Sequence, residues 1–274
     1  MKRSILVTGC STGIGRCVAA GLRDRGFRVF ATARKQKDVN ALIDAGFESV
    51  QLDLANSASI KMAADYVMHK TDGRIYSLFN NGAYGQPGAV EDLSRNVLRE
   101  QFETNLFGTH ELTNLVIPTM RKQGEGRIVQ NSSVLGFVAL KYRGAYTATK
   151  YALEGLSDTL RMELKGTGIS VSLIEPGPIL SQFRANAFAA YQRNIDKESS
   201  PNKHIYLNIE KRLRTNDSVD PFTLGPEAVL SKVIHALESK RPKDRYYVTF
   251  PTYLFAYLKR ILPGHMLDRI LKKI

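Results

Sequence analysis

Tyr146 and Lys150 stand four residues apart in Tyr146-Thr147-Ala148-Thr149-Lys150, and on a helix that spacing puts a phenol and an ammonium on one face. A free phenol titrates near ~10 and is a poor base at neutral pH. A cation ~5–6 Å away, at an effective dielectric of ~20, favours the phenolate by about 3 kcal/mol, or roughly two pKa units. The pair is therefore a candidate proton-handling device with an acidified phenol. The same spacing occurs in ordinary exposed Tyr–Lys pairs, so other residues must decide.

A second chemistry-bearing stretch is Thr8-Gly9-Cys10-Ser11-Thr12-Gly13-Ile14-Gly15. It follows the apolar run Ser4-Ile5-Leu6-Val7 and opens a helical pattern. Glycines there let backbone amides approach a pyrophosphate, and a helix N-terminus adds free N–H groups and a positive dipole end. The spacing departs from the commoner G-x-G-x-x-G fingerprint. Alone, it reads as a dinucleotide site or as a tight turn.

Strand and helix patterns alternate around these motifs. Strands are expected at 4–7, 28–33, 48–54, 75–80, 127–132 and 170–175, with helices at 13–25, 39–45, 58–69, 96–122 and 145–164. This βαβ cadence implies an α/β fold, a parallel sheet covered by helices on both faces, in one domain spanning 1–274. Residues 180–225 mix aromatic and polar types without a clean period, as in a lid or variable substrate loop. A helix resumes at Pro226, and 246–250 can close the sheet edge.

Of the 274 residues 43% are hydrophobic and 24% charged, the balance of a soluble protein with a sizeable core. The first apolar run is too short for a signal peptide or membrane span. Two cysteines, Cys10 and Cys17, are too few for a disulfide framework or a metal site and point to a reducing, cytoplasmic setting. No metal is expected. The formal charge of +13 permits anionic partners. No helix-turn-helix or aromatic-plus-basic pattern supports nucleic acid.

Four features occur in order. They are the glycine turn after the first strand, Asn80-Asn81-Gly82 ending a later strand, Ser133 thirteen residues before Tyr146, and the Tyr146–Lys150 pair. Over roughly 4–181 the chain thereby resembles the short-chain dehydrogenase/reductase family. It looks most like the branch that holds retinol and 17β-hydroxysteroid dehydrogenases, with bacterial relatives. The resemblance implies a Rossmann-type, doubly wound sheet of about seven strands with nicotinamide held over the Tyr146 helix.

Carried over by position, Tyr146 resembles the family's acid/base and Lys150 the residue that lowers its pKa and holds the nicotinamide ribose. Ser133 resembles the hydroxyl that steadies the substrate oxygen, and Asn105 the asparagine that anchors a relay water. Gly9, Ser11, Thr12, Gly13, Ile14 and Gly15 match the pyrophosphate turn. Asp53 and Leu54 match the adenine contact, while Asn81 and Gly82 match the segment beneath the adenosine. Pro176-Gly177-Pro178-Ile179 is similar to the turn backing the carboxamide, with Ser181 where a threonine is common. The family's Asn-Asn-Ala-Gly is here Asn80-Asn81-Gly82-Ala83. A homodimer or homotetramer, paired through the two long helices, is also implied.

An acidic residue ending the second strand would accept the ribose 2′-OH of NAD and repel a 2′-phosphate. Here that strand ends Ala33-Arg34-Lys35. Arg34 can pair with the phosphate through its planar fork, and Ser11 can add a hydroxyl. NADP(H) is therefore expected over NAD(H), and carbonyl reduction over alcohol oxidation.

Leu135, Phe137, Val138, Leu140, Tyr142, Tyr84, Phe183, Phe188 and Tyr191 suggest an apolar cavity for a lipophilic aldehyde or ketone. The competing readings are an NAD-dependent retinol or hydroxysteroid dehydrogenase and a non-catalytic NADPH-binding sensor or scaffold. The complete set Asn105, Ser133, Tyr146 and Lys150 argues against the last. From Lys240 onward nine Lys or Arg face two Asp. The tail, 251–274, reads as a basic amphipathic segment, packed on the protein itself or lying on an anionic membrane.

Overall fold

In the computed structural model, which describes residues 2–214 and 221–273, the four side chains of β1 (Ser4–Val7) are all buried. Ile5 and Val7 enter one apolar layer and Leu6 the opposite one, because successive strand side chains point to opposite faces. Burial on both faces explains the unbroken apolar run.

Six further strands join it: β2 (Arg28–Ala33), β3 (Glu48–Gln51), β4 (Ser77–Asn80), β5 (Gly126–Asn131), β6 (Ile169–Glu175) and β7 (Arg245–Tyr247). All pair in parallel, in the order β3-β2-β1-β4-β5-β6-β7. The winding reverses between β1 and β4. In such sheets the crevice at the strands' carboxyl ends, at that reversal, is where ligands bind.

Helices α1 (Gly13–Asp24), α2 (Gln36–Asp44) and α9 (Glu227–Glu238) cover one face through Val18, Leu22, Val39, Val229 and Val233. On the other, α3 (Ser57–Lys70) and α5 (Gly108–Gln123) bring Ile60, Val67, Leu112 and Val116 against Leu6, Phe30 and Ile128. Alongside them runs α6 (Gly144–Glu163), which carries Tyr146 and Lys150.

Three expectations are corrected. The helix expected over 96–122 is α4 (Arg95–Phe102), a π-turn over Glu103–Phe107 and then α5. The widened turn, a frequent mark of functional sites, accommodates Asn105, whose amide is bonded to the Tyr84 backbone. The region 180–225 is no open loop where it is described, though 215–220 lie outside the described residues. It contains α7 (Phe183–Asn194) and α8 (Lys203–Arg214). The period failed because α7 packs on two sides. Phe183 meets Tyr146, while Phe188 and Tyr191 enter a small core with Leu93, Val97, Ala145 and Tyr206. The last strand stops at Tyr247, since Phe250 and Pro251 begin the next helix.

The tail forms α10 (Phe250–Ile261) and α11 (Gly264–Leu271). Their Phe255, Leu258, Leu262, Leu267 and Leu271 pack on Val134–Leu140 and Tyr146. Packing on the subunit itself thus accounts for one side of this segment.

Candidate active site

At the crevice, β1 ends in Thr8, whose Oγ1 accepts the amides of Asn81 and Gly82, each at 2.8 Å. Asn81 Nδ2 donates to the Thr8 carbonyl at 2.9 Å, and Asn131 Nδ2 donates to Asn81 Oδ1 at 2.9 Å. These bonds tie together the carboxyl ends of β1, β4 and β5. Gly9 has φ +71, and a Cβ there would lie 2.9 Å from the Gly82 Cα. A Cβ on Gly15 would fall 2.2 Å from the Gly9 carbonyl oxygen. Only glycines let the turn fold this tightly onto the sheet.

Thr12 begins α1 without a side-chain cap, so the first-turn amides have no side-chain partner and remain available to an anion. Ser11 and Thr12 are exposed beside them, while Gly13 and Ile14 are half-buried. Across the turn lies Ser181, exposed, with its Cβ 2.9 Å from where a Gly13 Cβ would sit. A cradle of glycines, free amides and small hydroxyls fits a dinucleotide diphosphate.

Arg34 is exposed where β2 ends and makes no ion pair among the described residues; its carbonyl accepts Gln51 Nε2. Asp53 Oδ1 accepts the Ala55 amide, and Leu54 is buried beside it. Pro176 follows β6, and its carbonyl accepts from Val134 N at 2.8 Å and Ser133 Oγ at 3.5 Å. Thr249 and Thr252 crowd Gly177, and Ile179 bridges to Leu224.

On the neighbouring helix, Tyr146 faces Ser133, whose hydroxyl favours the ionised phenol. Ser133 opens the 3-10 turn Val134–Gly136 and accepts the Leu135 amide at 3.1 Å. Phe183 stands edge-on to Tyr146, with ring centroids 5.3 Å apart. Lys150 is buried, and its Nζ lies 5.6 Å from the Tyr146 ring centroid and donates to the Asn131 carbonyl at 2.6 Å.

The electrostatics overturn one expectation. Burial pushes the Tyr146 phenol up to about 12, against the lowering pull of the Ser133 hydroxyl and the Arg143 charge. Lys150 is itself drawn down to about 8 by burial, with Glu154 opposing. Desolvation outweighs the opposing pull of Ser133 and Arg143 on Tyr146 and of Glu154 on Lys150, because the charged form of either group loses its hydration. The phenol holds its proton at neutral pH.

Asn105 is buried and occupied. Its Oδ1 accepts Tyr84 N at 3.1 Å, and its Nδ2 donates to Tyr84 O at 2.9 Å and to Thr149 Oγ1 at 3.3 Å. Asn105 thus clasps the segment after β4 to α6, one residue before Lys150. The apolar residues expected around a cavity divide between two packed clusters. Tyr142, Phe188 and Tyr191 join the core under α7 and α8, and Leu135, Phe137, Val138 and Leu140 pack beneath the tail. Tyr84 and Phe183 stay partly open to the crevice.

Sequence reading missed Thr8 and Asn131, whose parts are set by backbone proximity. It also missed a buried charge cluster. Arg245 Nη2 lies 2.9 Å from Glu154 Oε2 and 2.8 Å from Asp158 Oδ2, and its Nε lies 3.0 Å from Glu175 Oε1. Glu175 is fully buried; burial first, then the Glu154 charge, raises its pKa. A carboxylate closing a strand with no other charged residue was the available signal.

Such a sheet, glycine turn and Ser–Tyr–Lys array define a nucleotide-dependent oxidoreductase. The chain belongs to the short-chain dehydrogenases: that family's model, described as "short chain dehydrogenase", matches residues 3–192. The "Uncharacterized oxidoreductase YbbO" of Escherichia coli (strain K12) is 44% identical over 272 residues, 99% of this chain and 95% of that one. The "NADPH-dependent 3-dehydrocapnine reductase" of Ornithobacterium rhinotracheale is 29% identical, covering 99% of this chain and 96% of its own. Human "17-beta-hydroxysteroid dehydrogenase type 1" is 30% identical over 89% of this chain and 77% of its own. The protein is an oxidoreductase using NAD or NADP. No helix among the described residues is long and apolar enough to cross a membrane.

Proposed function

We propose that this oxidoreductase is an NADP(H)-dependent carbonyl reductase, and in reverse an alcohol dehydrogenase, acting on a lipophilic aldehyde or ketone. The observation that carries this reading is the convergence of Tyr146, Ser133 and Lys150 at the rim of the crevice, with the lysine Nζ 5.6 Å from the Tyr146 ring centroid. NADPH, when bound, supplies the hydride. Tyr146, a neutral phenol, gives its proton to the oxygen of the reduced carbonyl, an alkoxide far more basic than a phenolate. Ser133 holds that oxygen through its hydroxyl as charge develops. Lys150 uses one donor on Asn131 and keeps two for the ribose hydroxyls. Asn105 acts by holding the Tyr84 segment and a relay path behind Lys150.

The diphosphate is assigned to the turn Gly9, Ser11, Thr12, Gly13, Ile14 and Gly15, and the adenosine to Asp53, Leu54, Asn81 and Gly82. The carboxamide is assigned to Pro176, Gly177, Ile179 and Ser181. Arg34, free of carboxylate partners, is the 2′-phosphate ligand. An NADPH-dependent reductase among the relatives supports this choice, as does the lack of an acid at the end of β2. The likeness to a hydroxysteroid dehydrogenase supports a lipophilic substrate. Between α5 and α6 runs a groove of about 280 Å³ lined by Thr109, His110, Leu153, Leu156 and Leu160. There we place the homodimer contact. The free thiols Cys10 and Cys17 accord with a reducing cytoplasm.

The deciding experiment is NADPH oxidation with an aldehyde panel in the wild type and Tyr146→Phe. The variant is expected to lose turnover while still binding NADPH; undiminished turnover would overturn the mechanism.

A further inference from the structure

The tail helices carry two apolar faces. One is inward: Phe255, Leu267 and Leu271 are buried against Leu135 and Val138. On the other side Tyr253, Leu254, Tyr257 and Ile261 recur at three- and four-residue steps along α10, and Met266 and Ile270 do so on α11. They are 38–64% exposed. A helix packed at a protein surface normally presents polar residues outward. Here the outward face is as greasy as the inward one.

Its surroundings identify what covers it. Arg260, Arg269, Lys272 and Lys273 are exposed around it, and Asp268 is the sole acid from residue 250 through 273. A second copy meeting this face about a two-fold axis would set those cations against themselves, since a two-fold interface presents the same patch on both sides. Tyr253 and Tyr257 end in phenols, the amphipathic rings that favour the headgroup level of a bilayer. An apolar stripe with tyrosines and a basic rim, on helices too short to span, is the pattern of a surface-lying anchor.

We propose that α10 and α11 dock the protein on an anionic lipid surface. The face stands back to back with the turn that carries Ser133, so docking sets the crevice near the lipid. That consequence rests on the lipophilic-substrate reading, whereas the docking itself does not.

Flotation of the full-length protein tests it, with vesicles of phosphatidylcholine alone and with about 30% phosphatidylglycerol. Wild type is expected to float with the anionic vesicles, to release as salt rises, and to bind the neutral ones far less. The double variant Tyr257→Glu/Ile261→Glu is expected to lose partitioning about a hundredfold. Its NADPH-dependent turnover of a short, water-soluble aldehyde should stay within about twofold of wild type; that reading separates docking from misfolding and from failure of the proposed chemistry. Arg269→Gln/Lys272→Gln/Lys273→Gln is expected to weaken anionic binding alone. The proposal is overturned if wild type ignores both vesicle types or if the double variant still floats. It is equally overturned if the double substitution instead splits a wild-type oligomer into monomers, which would assign the face to a second copy.

Discussion

Lys150 Nζ points into the protein, donating to the carbonyl of Asn131 at the end of β5, 2.6 Å away. That carbonyl belongs to the residue whose amide also holds Asn81. The lysine of α6 is thereby tied to the strands that shape the nucleotide crevice. Its position reflects the sheet as much as the phenol one turn earlier.

The burial of Lys150 bears on stability. Burial lowers the Lys150 pKa from 10.5 to about 8, so between those values the unfolded chain binds more protons and stability rises with pH. From pH 7 to 9.5 this group should add about 2 kcal/mol, a gain absent from Lys150→Met. Urea denaturation of both proteins at the two pH values measures the difference.

Tyr146 and Ser133 stand together at the reacting position. Tyr146→Phe is expected to reduce kcat by about 10²–10⁴-fold, the range for losing a general acid. Ser133→Ala should lower kcat by about 10²-fold, as for an oxyanion donor. With a phenol pushed up to about 12, reduction should show no loss of activity from Tyr146 ionisation below pH 9. A rate profile with NADPH in excess checks this.

Arg34 stands exposed at the end of β2 without a carboxylate. Arg34→Ala should raise the KM for NADPH about tenfold, a charge-assisted contact discounted for solvent, and leave that for NADH nearly unchanged. Equal effects on both would remove the NADP assignment.

Glu175 shares one arginine with Glu154 and Asp158, and burial holds its proton on. Its folded pKa lies above the unfolded value, so the folded state loses stability as pH rises from the carboxylate range upward. Glu175→Gln should therefore be at least as stable as wild type at pH 7. Arg245→Met, which strands the buried Glu154 carboxylate, should cost about 3 kcal/mol. Thermal melts at pH 6 and 8 distinguish the two.

Much of the architecture was legible because β1, β2 and β6 are buried on both faces and α1 and α5 end at glycines with positive φ. Composition and period report such burial directly. Unreadable were α7, whose apolar residues serve two cores, and the π-turn at Asn105, which depends on Tyr84 twenty-one positions away.

Residue order alone determined the alternation of strands and helices and the family, since local period and motif spacing carry that information. Tertiary structure alone decided the state of individual side chains. Whether Tyr146 is acidic or neutral, where Lys150 points, and how three carboxylates share Arg245 depend on desolvation and on groups brought together across the sheet. Neither effect is written in neighbouring residues.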